Sequence, residues 1–451
     1  MNPVSERADG PANASPEGEA PPARSRSWLT AVVAGVAAIL AFLAAANHWY
    51  SWEDGIRATQ ALDTETYARI ASAAPGFPHT EIGSAFTERF AFPWVLGSAG
   101  ELFGGGPHTP FRVMFALFVV VTLGLMVDVC RRLGLAASAT LLCVGLFALN
   151  PYVFRGDAIA PGPVDEAFVI GIAILIWGLV AVRFAGVLAG AVVAILGRQS
   201  ALIAVPAAAV WLYAGTGWRM PRMRRRVGAV ALPVATVLVL YGAIKLSITS
   251  FTYSFAPSIP SDTVIPVVGH PGSASALATH LARIAAPLVL WAGAVAGAFA
   301  GLAWAGARLR PPVEFWCAVL IGASIIAQPL IISPHFPGFE ANEQRLSALG
   351  LLPLCVALAY VLREAGGSLR AAPAWSLITG GGALLAASLH DKFTVIGPRT
   401  NGEFVALELV AAAVLGCTLA VVIGTGGVRH SAPATGPGGS GPIGTADPGV
   451  R

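Results

Sequence analysis

From residue 28 onward, apolar runs of about twenty residues alternate with short polar breaks almost to the end of the chain. Coiled as a helix, a run of that length covers the ~30 Å hydrocarbon core of a bilayer. The pattern predicts spans at about 28–46, 111–129, 136–150, 165–182, 227–247, 285–307, 313–331, 346–362, 373–389 and 404–424. Two further segments, 184–196 and 201–215, are short and split by Gly197-Arg198-Gln199-Ser200. They predict two short helices meeting at Gly197-Arg198, reaching partway or just across. Irregular backbone at that depth survives only where protein or a water-filled cavity covers it. The whole reads as an all-α polytopic membrane protein of about twelve transmembrane helices over residues 28–424.

Arginine placement orients the bundle. Arg24 and Arg26, Arg131 and Arg132, Arg183, the run from Arg219 to Arg226, Arg308 and Arg310, and Arg363 fall at alternate span ends. By the positive-inside rule those ends face the cytoplasm, which puts both termini inside a cell (plasma) membrane. A cleaved signal peptide is the competing reading of the first span, since small residues stand at 44–46. Residues 1–27 and 425–451 are rich in Pro, Gly, Ala and Ser without hydrophobic period, and are expected to be disordered tails. The larger outside loops are 47–110, 150–164, 248–283 and 333–345.

Composition agrees with the pattern. The chain is 55% hydrophobic and 12% charged, with a mean hydropathy of +0.70, against roughly 25% charge in soluble domains. The net charge of +4 points to no nucleic acid, because the arginines mark span ends rather than one basic face. Lysine occurs only at 245 and 392, which reads as an arginine-biased genome. The five cysteines, at 130, 143, 317, 355 and 417, lie in or beside spans with no metal-ligand spacing. They read as small apolar packing residues, with no disulfide and no zinc expected. No Walker loop, HExxH or nucleophile elbow occurs in a credible setting.

Candidate chemistry is left to ionisable residues near span ends. The first outside loop gathers Glu53, Asp54, Asp63, Glu65, Glu81, Glu88 and Glu101 in a charge-poor chain. Asp63 and Tyr67 are four apart and share a face if the stretch is helical; Glu65 and Arg69 crowd the same turns. Asp63 is equally a solvated carboxylate or helix cap, and Asp54 is its rival. Arg89 sits among Phe90, Phe92 and Trp94, as an interfacial anchor would. Asp165 and Glu166 open a span, where the helix dipole alone favours acids. Arg198, in the polar break, is expensive in lipid and is expected to face a cavity. Arg345 stands where the fourth outside loop meets a span, and snorkelling is its bland reading.

Taken in order, D-T-E-T-Y (63–67), E-R-F-A-F-P-W (88–94), P-V-D-E-A-F-V (163–169), G-R-Q-S-A-L-I-A-V-P (197–206), N-E-Q-R-L (342–346) and L-L-P-L (351–354) resemble the GT-C superfamily of polytopic glycosyltransferases. The likeness is to its bacterial mannosyltransferase-like membrane proteins, over about residues 28–362. It implies a polyprenyl-phosphate sugar donor and an extracytoplasmic lipid or glycan acceptor. It also implies a loop acid as general base, Asp63 or Asp54, with Arg198, Arg345 and Arg89 at the lipid phosphate. Glu65, Tyr67, Asp165 and Glu166 would support the acceptor side. The paired acids of metal-using members are not evident, so no cofactor is assigned and a divalent metal stays open. A transporter or flippase of a lipid-linked or small polar substrate is the alternative, because broken helices suit that class too.

Overall fold

The computed structural model describes residues 24–47, 62–76, 82, 86, 88–104, 106–154, 162–218, 223–250, 274–307, 310–328, 342–389 and 401–426. Asp54, the terminal tails and the stretch around His390 lie outside them. The described residues form helices and no strand. In chain order the helices are α1 (Arg24–Asn47), α2 (Leu62–Ala73), α3 (Ala91–Leu102), α4 (His108–Arg132), α5 (Ala137–Ala148), α6 (Pro163–Val180), α7 (Phe184–Gly197), α8 (Ala201–Ala214) and α9 (Met223–Ser250). They continue as α10 (Ala274–Ala285), α11 (Val289–Trp304), α12 (Val313–Ile326), α13 (Asn342–Ala348), α14 (Leu351–Glu364), α15 (Gly366–Arg370), α16 (Ala374–Leu389) and α17 (Asn401–Thr425).

Seven segments among the described residues are long and apolar enough to cross a membrane, in α1, α4, α6, α9, α10–α11, α13–α14 and α17. Five shorter apolar helices, α5, α7, α8, α12 and α16, accompany them. The stretch expected to span 136–150 is helical for only twelve residues. It stops at Asn150, which is buried, donates to the Pro287 carbonyl at 2.8 Å and accepts from the Tyr152 amide at 3.1 Å. A side chain that captures local backbone in this way competes with the helix ladder.

Burial separates the middle of the bundle from its rim. The α13–α14 segment is 94% buried and α6 is 83% buried, whereas α1 is 11% and α9 is 17% buried. Rim helices expose Val33, Val120, Leu238, Val239, Leu246, Ile378 and Val410. In water such continuous apolar surface would drive association; against lipid tails it costs nothing. This is a multi-pass membrane protein.

Since lipid removes the hydrophobic drive between helices, close backbone approach does the work. The most extensively packed pair is α6 with α7, joined by a three-residue turn. A Cβ on Gly171 would sit 2.3 Å from the Ala194 nitrogen, one on Gly190 2.3 Å from the Leu175 nitrogen, and one on Gly197 2.6 Å from the Phe168 nitrogen. The pairing is antiparallel, so the end of α7 is held beside the start of α6. A second pair, α11 with α17, is parallel: Gly293, Gly297 and Gly301 face Ala412, Gly416 and Ala420. Backbone cannot move aside as a flexible side chain can, so Gly190→Ala is expected to destabilise by ~1–3 kcal/mol despite alanine's better helix propensity. Gly228→Ala, with open space around it, is the matched control and should cost nothing. Thermal unfolding of the two variants in one detergent checks the difference.

Candidate functional site

Four local devices converge at the end of the bundle where α6 begins. The first is the break between α7 and α8. Arg198 caps α7 in extended conformation (φ −145°, ψ 148°), and α8 starts at Ala201. The two short helices expected around Gly197-Arg198 are present. The break is anchored by Ser200, whose hydroxyl donates to the Gln328 side-chain oxygen, both residues being buried.

The second is the first turn of α6. Pro163 stands at its start, where a missing N–H costs nothing, and Asp165 and Glu166 follow, 3% and 0% exposed. The α6–α7 register brings Arg198, 4% exposed, against Asp165, and Arg198 Nη1 donates to Asp165 Oδ1. The third is α13, which brings Arg345 Nε to 2.7 Å from Asp165 Oδ2, an ion pair rather than an aligned hydrogen bond. Dipole stabilisation and snorkelling are therefore not the main business of these residues. Asp165 is a bridge between two guanidiniums.

The fourth device comes from the stretch between α1 and α4. Here α2 packs on α3 so closely that a Cβ on Gly97 would meet the Ala71 carbonyl at 2.0 Å. Trp94 Nε1 ties the end of α2 down through the carbonyls of Pro75 and Gly76, each at 3.2 Å. Tyr67, Ile70, Ala71, Ile82, Phe111 and Val164 share one small apolar cluster, which seats α2 on the start of α6. Tyr67 is 1% exposed and acts electrostatically on Arg198. Glu65 and Arg69, on the other face, are exposed. The backbone at Asp63 belongs to α2, one turn before Tyr67, while its side chain lies outside the described atoms.

Arg89 joins from the turn before α3: its Nε donates to Gln199 Oε1 at 3.0 Å. Gln199 Nε2 in turn donates to Glu88 Oε2 at 2.8 Å. Glu88 pairs with Lys245 of α9, and the Tyr241 hydroxyl lies 3.4 Å from Glu88 Oε2. Arg89 bears electrostatically on both Asp165 and Arg198. The structure thus gathers Arg89, Arg198, Arg345, Asp165, Glu166 and Tyr67 of the expected set, and leaves Glu65 on the outer face.

Sequence reasoning passed over Gln199, Tyr241 and Lys245 as participants and used Glu88 only as one acid among several. Lys245 is a correction: it is no mere by-product of genome bias but the partner of Glu88. A lone lysine late in an apolar span was the available signal, because an ionisable residue there needs a partner. Among the described residues, no group of three or more His, Cys, Asp or Glu comes together as a metal centre.

Arg89, Arg198, Arg345 and Lys245 are drawn together with the carboxylates Asp165 and Glu88, and Glu166 is buried beside Asp165. Arg198 Nε is buried with no hydrogen-bond partner among the described residues.

The fold and site define a class: a multi-pass helical membrane protein with a cation-rich polar cluster buried at one end of the bundle. No protein-family model matches the chain, and no curated protein does. Among solved structures it is similar to ArnT from Cupriavidus metallidurans bound to undecaprenyl phosphate, at 17% identity over 89% of this chain and 77% of that one, with a TM-score of 0.48. It is also similar to the arabinofuranosyltransferase AftD from Mycobacteria, at 16% identity over 87% of this chain, with a TM-score of 0.45. The match spans 27% of AftD. Scores below one half at such identities assign neither fold nor reaction.

Proposed function

We propose that the protein is a GT-C-type membrane glycosyltransferase that moves a sugar from a polyprenyl-phosphate donor to an extracytoplasmic lipid or glycan acceptor. The observation that carries this reading is the convergence of Arg198 and Arg345 on one buried carboxylate, Asp165, with Arg198 Nε buried and without a hydrogen-bond partner among the described residues. It lies beside the helix that bears Asp63 and Tyr67. In such a transfer the acceptor oxygen forms a bond to the anomeric carbon as the bond from that carbon to the phosphate oxygen breaks. The phosphate leaves with one more negative charge, which Arg198, Arg345 and Arg89 are placed to stabilise. Asp63, on the same helical face as Tyr67, takes the acceptor's hydroxyl proton. Asp165 positions the two arginines and does not react.

The purified protein in detergent, given a polyprenyl-phosphate sugar, tests this. Arg345→Ala is expected to raise the donor KM by about 10–100-fold, the worth of a charge-assisted hydrogen bond, with a smaller change in kcat. Arg345→Lys should recover part of the loss, because it restores charge without the planar fork. A donor KM unchanged in Arg345→Ala would remove the phosphate from this site.

The broken α7–α8 pair is the observation that favours the second reading, a transporter or flippase, since discontinuous helices line substrate sites in that class. Movement of lipid-linked sugar across proteoliposomes, without sugar transfer, would select it.

A further inference from the structure

At the opposite end of the bundle, beyond the ~22 Å of α6 that runs from Asp165 to Val180, a cavity of ≈ 1010 Å³ opens between α1, the α4–α5 turn and the α15–α16 turn. Its walls include Trp28, Arg131, Leu135, Ser138, Arg370 and Leu377. Two hydrogen bonds fix them: Trp28 Nε1 donates to the Leu135 carbonyl at 3.0 Å, and the Ser138 hydroxyl donates to the Leu369 carbonyl at 2.7 Å. The cavity is thus built by contacts between segments far apart in sequence.

Its chemistry is two-sided. On one side stand guanidiniums. Arg131 shares the Asp128 carboxylate with Arg132, at 2.6 Å from each, so one carboxylate answers two cations. Arg370 is exposed, with no ion pair among the described residues. On the other side, Leu29 and Leu377 are 54% and 55% exposed and continue the apolar rim of α1 and α16 that faces lipid. Trp28 and Trp177 stand near this level, and Arg132 lies over the Trp177 ring at 5.7 Å. Tryptophan and arginine together mark headgroup depth. A soluble anion would leave the apolar wall uncovered, and an acyl chain alone would leave the excess positive charge of Arg131, Arg132 and Arg370 over Asp128 unanswered. A molecule with a phosphodiester and two acyl chains covers both.

We infer that this cavity is a selective site for an anionic glycerophospholipid of the bilayer, with its phosphodiester between Arg131 and Arg370 and its chains along Leu29 and Leu377. The site is independent of the reaction proposed above, and its test uses no sugar transfer. The full chain, carrying Ala137→Cys labelled with bimane on a Cys417→Ser background, is reconstituted in phosphatidylcholine vesicles. Phosphatidylglycerol or further phosphatidylcholine with brominated chains is then titrated in. Quenching should report a binding preference of at least about fivefold for phosphatidylglycerol, the ~1 kcal/mol expected for one arginine near a headgroup. Arg370→Gln, at an exposed position, should reduce that preference about fivefold, and sodium phosphate at millimolar concentration should not relieve the quenching. Equal quenching by both lipids, or a preference unchanged in Arg370→Gln, would overturn the site. Relief by phosphate would overturn the lipid as its occupant. A label position that prevents reconstitution is replaced by native mass spectrometry of the unlabelled chain, where bound phosphatidylglycerol must fall in Arg370→Gln for the site to stand.

Discussion

Asp165→Ala is expected to cost about 3–5 kcal/mol of stability, because it leaves Arg198 buried without its counter-charge. Arg345 is 28% exposed and can turn its head towards water, so the loss falls mainly on Arg198. The double variant Asp165→Leu/Arg198→Met should recover most of that stability, since replacing a buried ion pair by packed apolar groups is often neutral. Its sugar transfer should stay low, because the proposed phosphate receptor is gone. Denaturant unfolding of the reconstituted protein measures the first effect, and transfer assays on the same preparations measure the second. A stable double variant with wild-type transfer would reduce the pair to scaffolding.

Asp63→Asn keeps the size of the side chain and most of its hydrogen bonding but cannot accept a proton. If Asp63 is the general base, transfer falls by roughly 10²–10⁴-fold, while the amount of protein in the membrane hardly changes. The structure sharpens the motive: α2 carries Asp63 one turn from Tyr67, and Tyr67 is buried against the Arg198 region. Full activity in Asp63→Asn would move the role to Asp54. Full activity in both carboxylate variants would exclude either as the base.

Local pattern made much of this protein legible. The run lengths gave the helical class and about twelve apolar helices. Gly197-Arg198-Gln199-Ser200 gave the break, because four polar or flexible residues between apolar runs cannot continue a lipid-facing helix. Spacing of Asp63 and Tyr67 gave the helix Leu62–Ala73 between α1 and α4. What stayed hidden was pairing across distance. Asp165, Arg198 and Arg345 were each visible as ionisable residues at span ends, yet their meeting depends on the α6–α7 glycine register and on where α13 enters. Neither is written in the local sequence. Lys245 was misread for the same reason: its partner Glu88 lies 157 positions away, and a charge seen without its partner looks incidental. The short α5, α7, α8, α12 and α16 also depend on context, since full protein neighbours let a helix stop early where lipid would not.

The parallel contact between α11 and α17 has a consequence in time. Gly293, Gly297 and Gly301 are synthesised well before Ala412, Gly416 and Ala420, the residues that cover them. At about 5–20 residues per second, the interval between these helices lasts several seconds or more. During it α11 sits in the bilayer with a flat, small-residue face open to any passing helix. Assembly of the bundle therefore finishes from its last span, and a chain that stops before Asn401 should leave α11 exposed to quality-control proteases while the end that holds Asp165, Arg198 and Arg345 is already built. Pulse-chase degradation of such a truncated chain, compared with the full chain, is expected to show the shorter half-life, and Gly297→Leu in the full chain should shorten it as well.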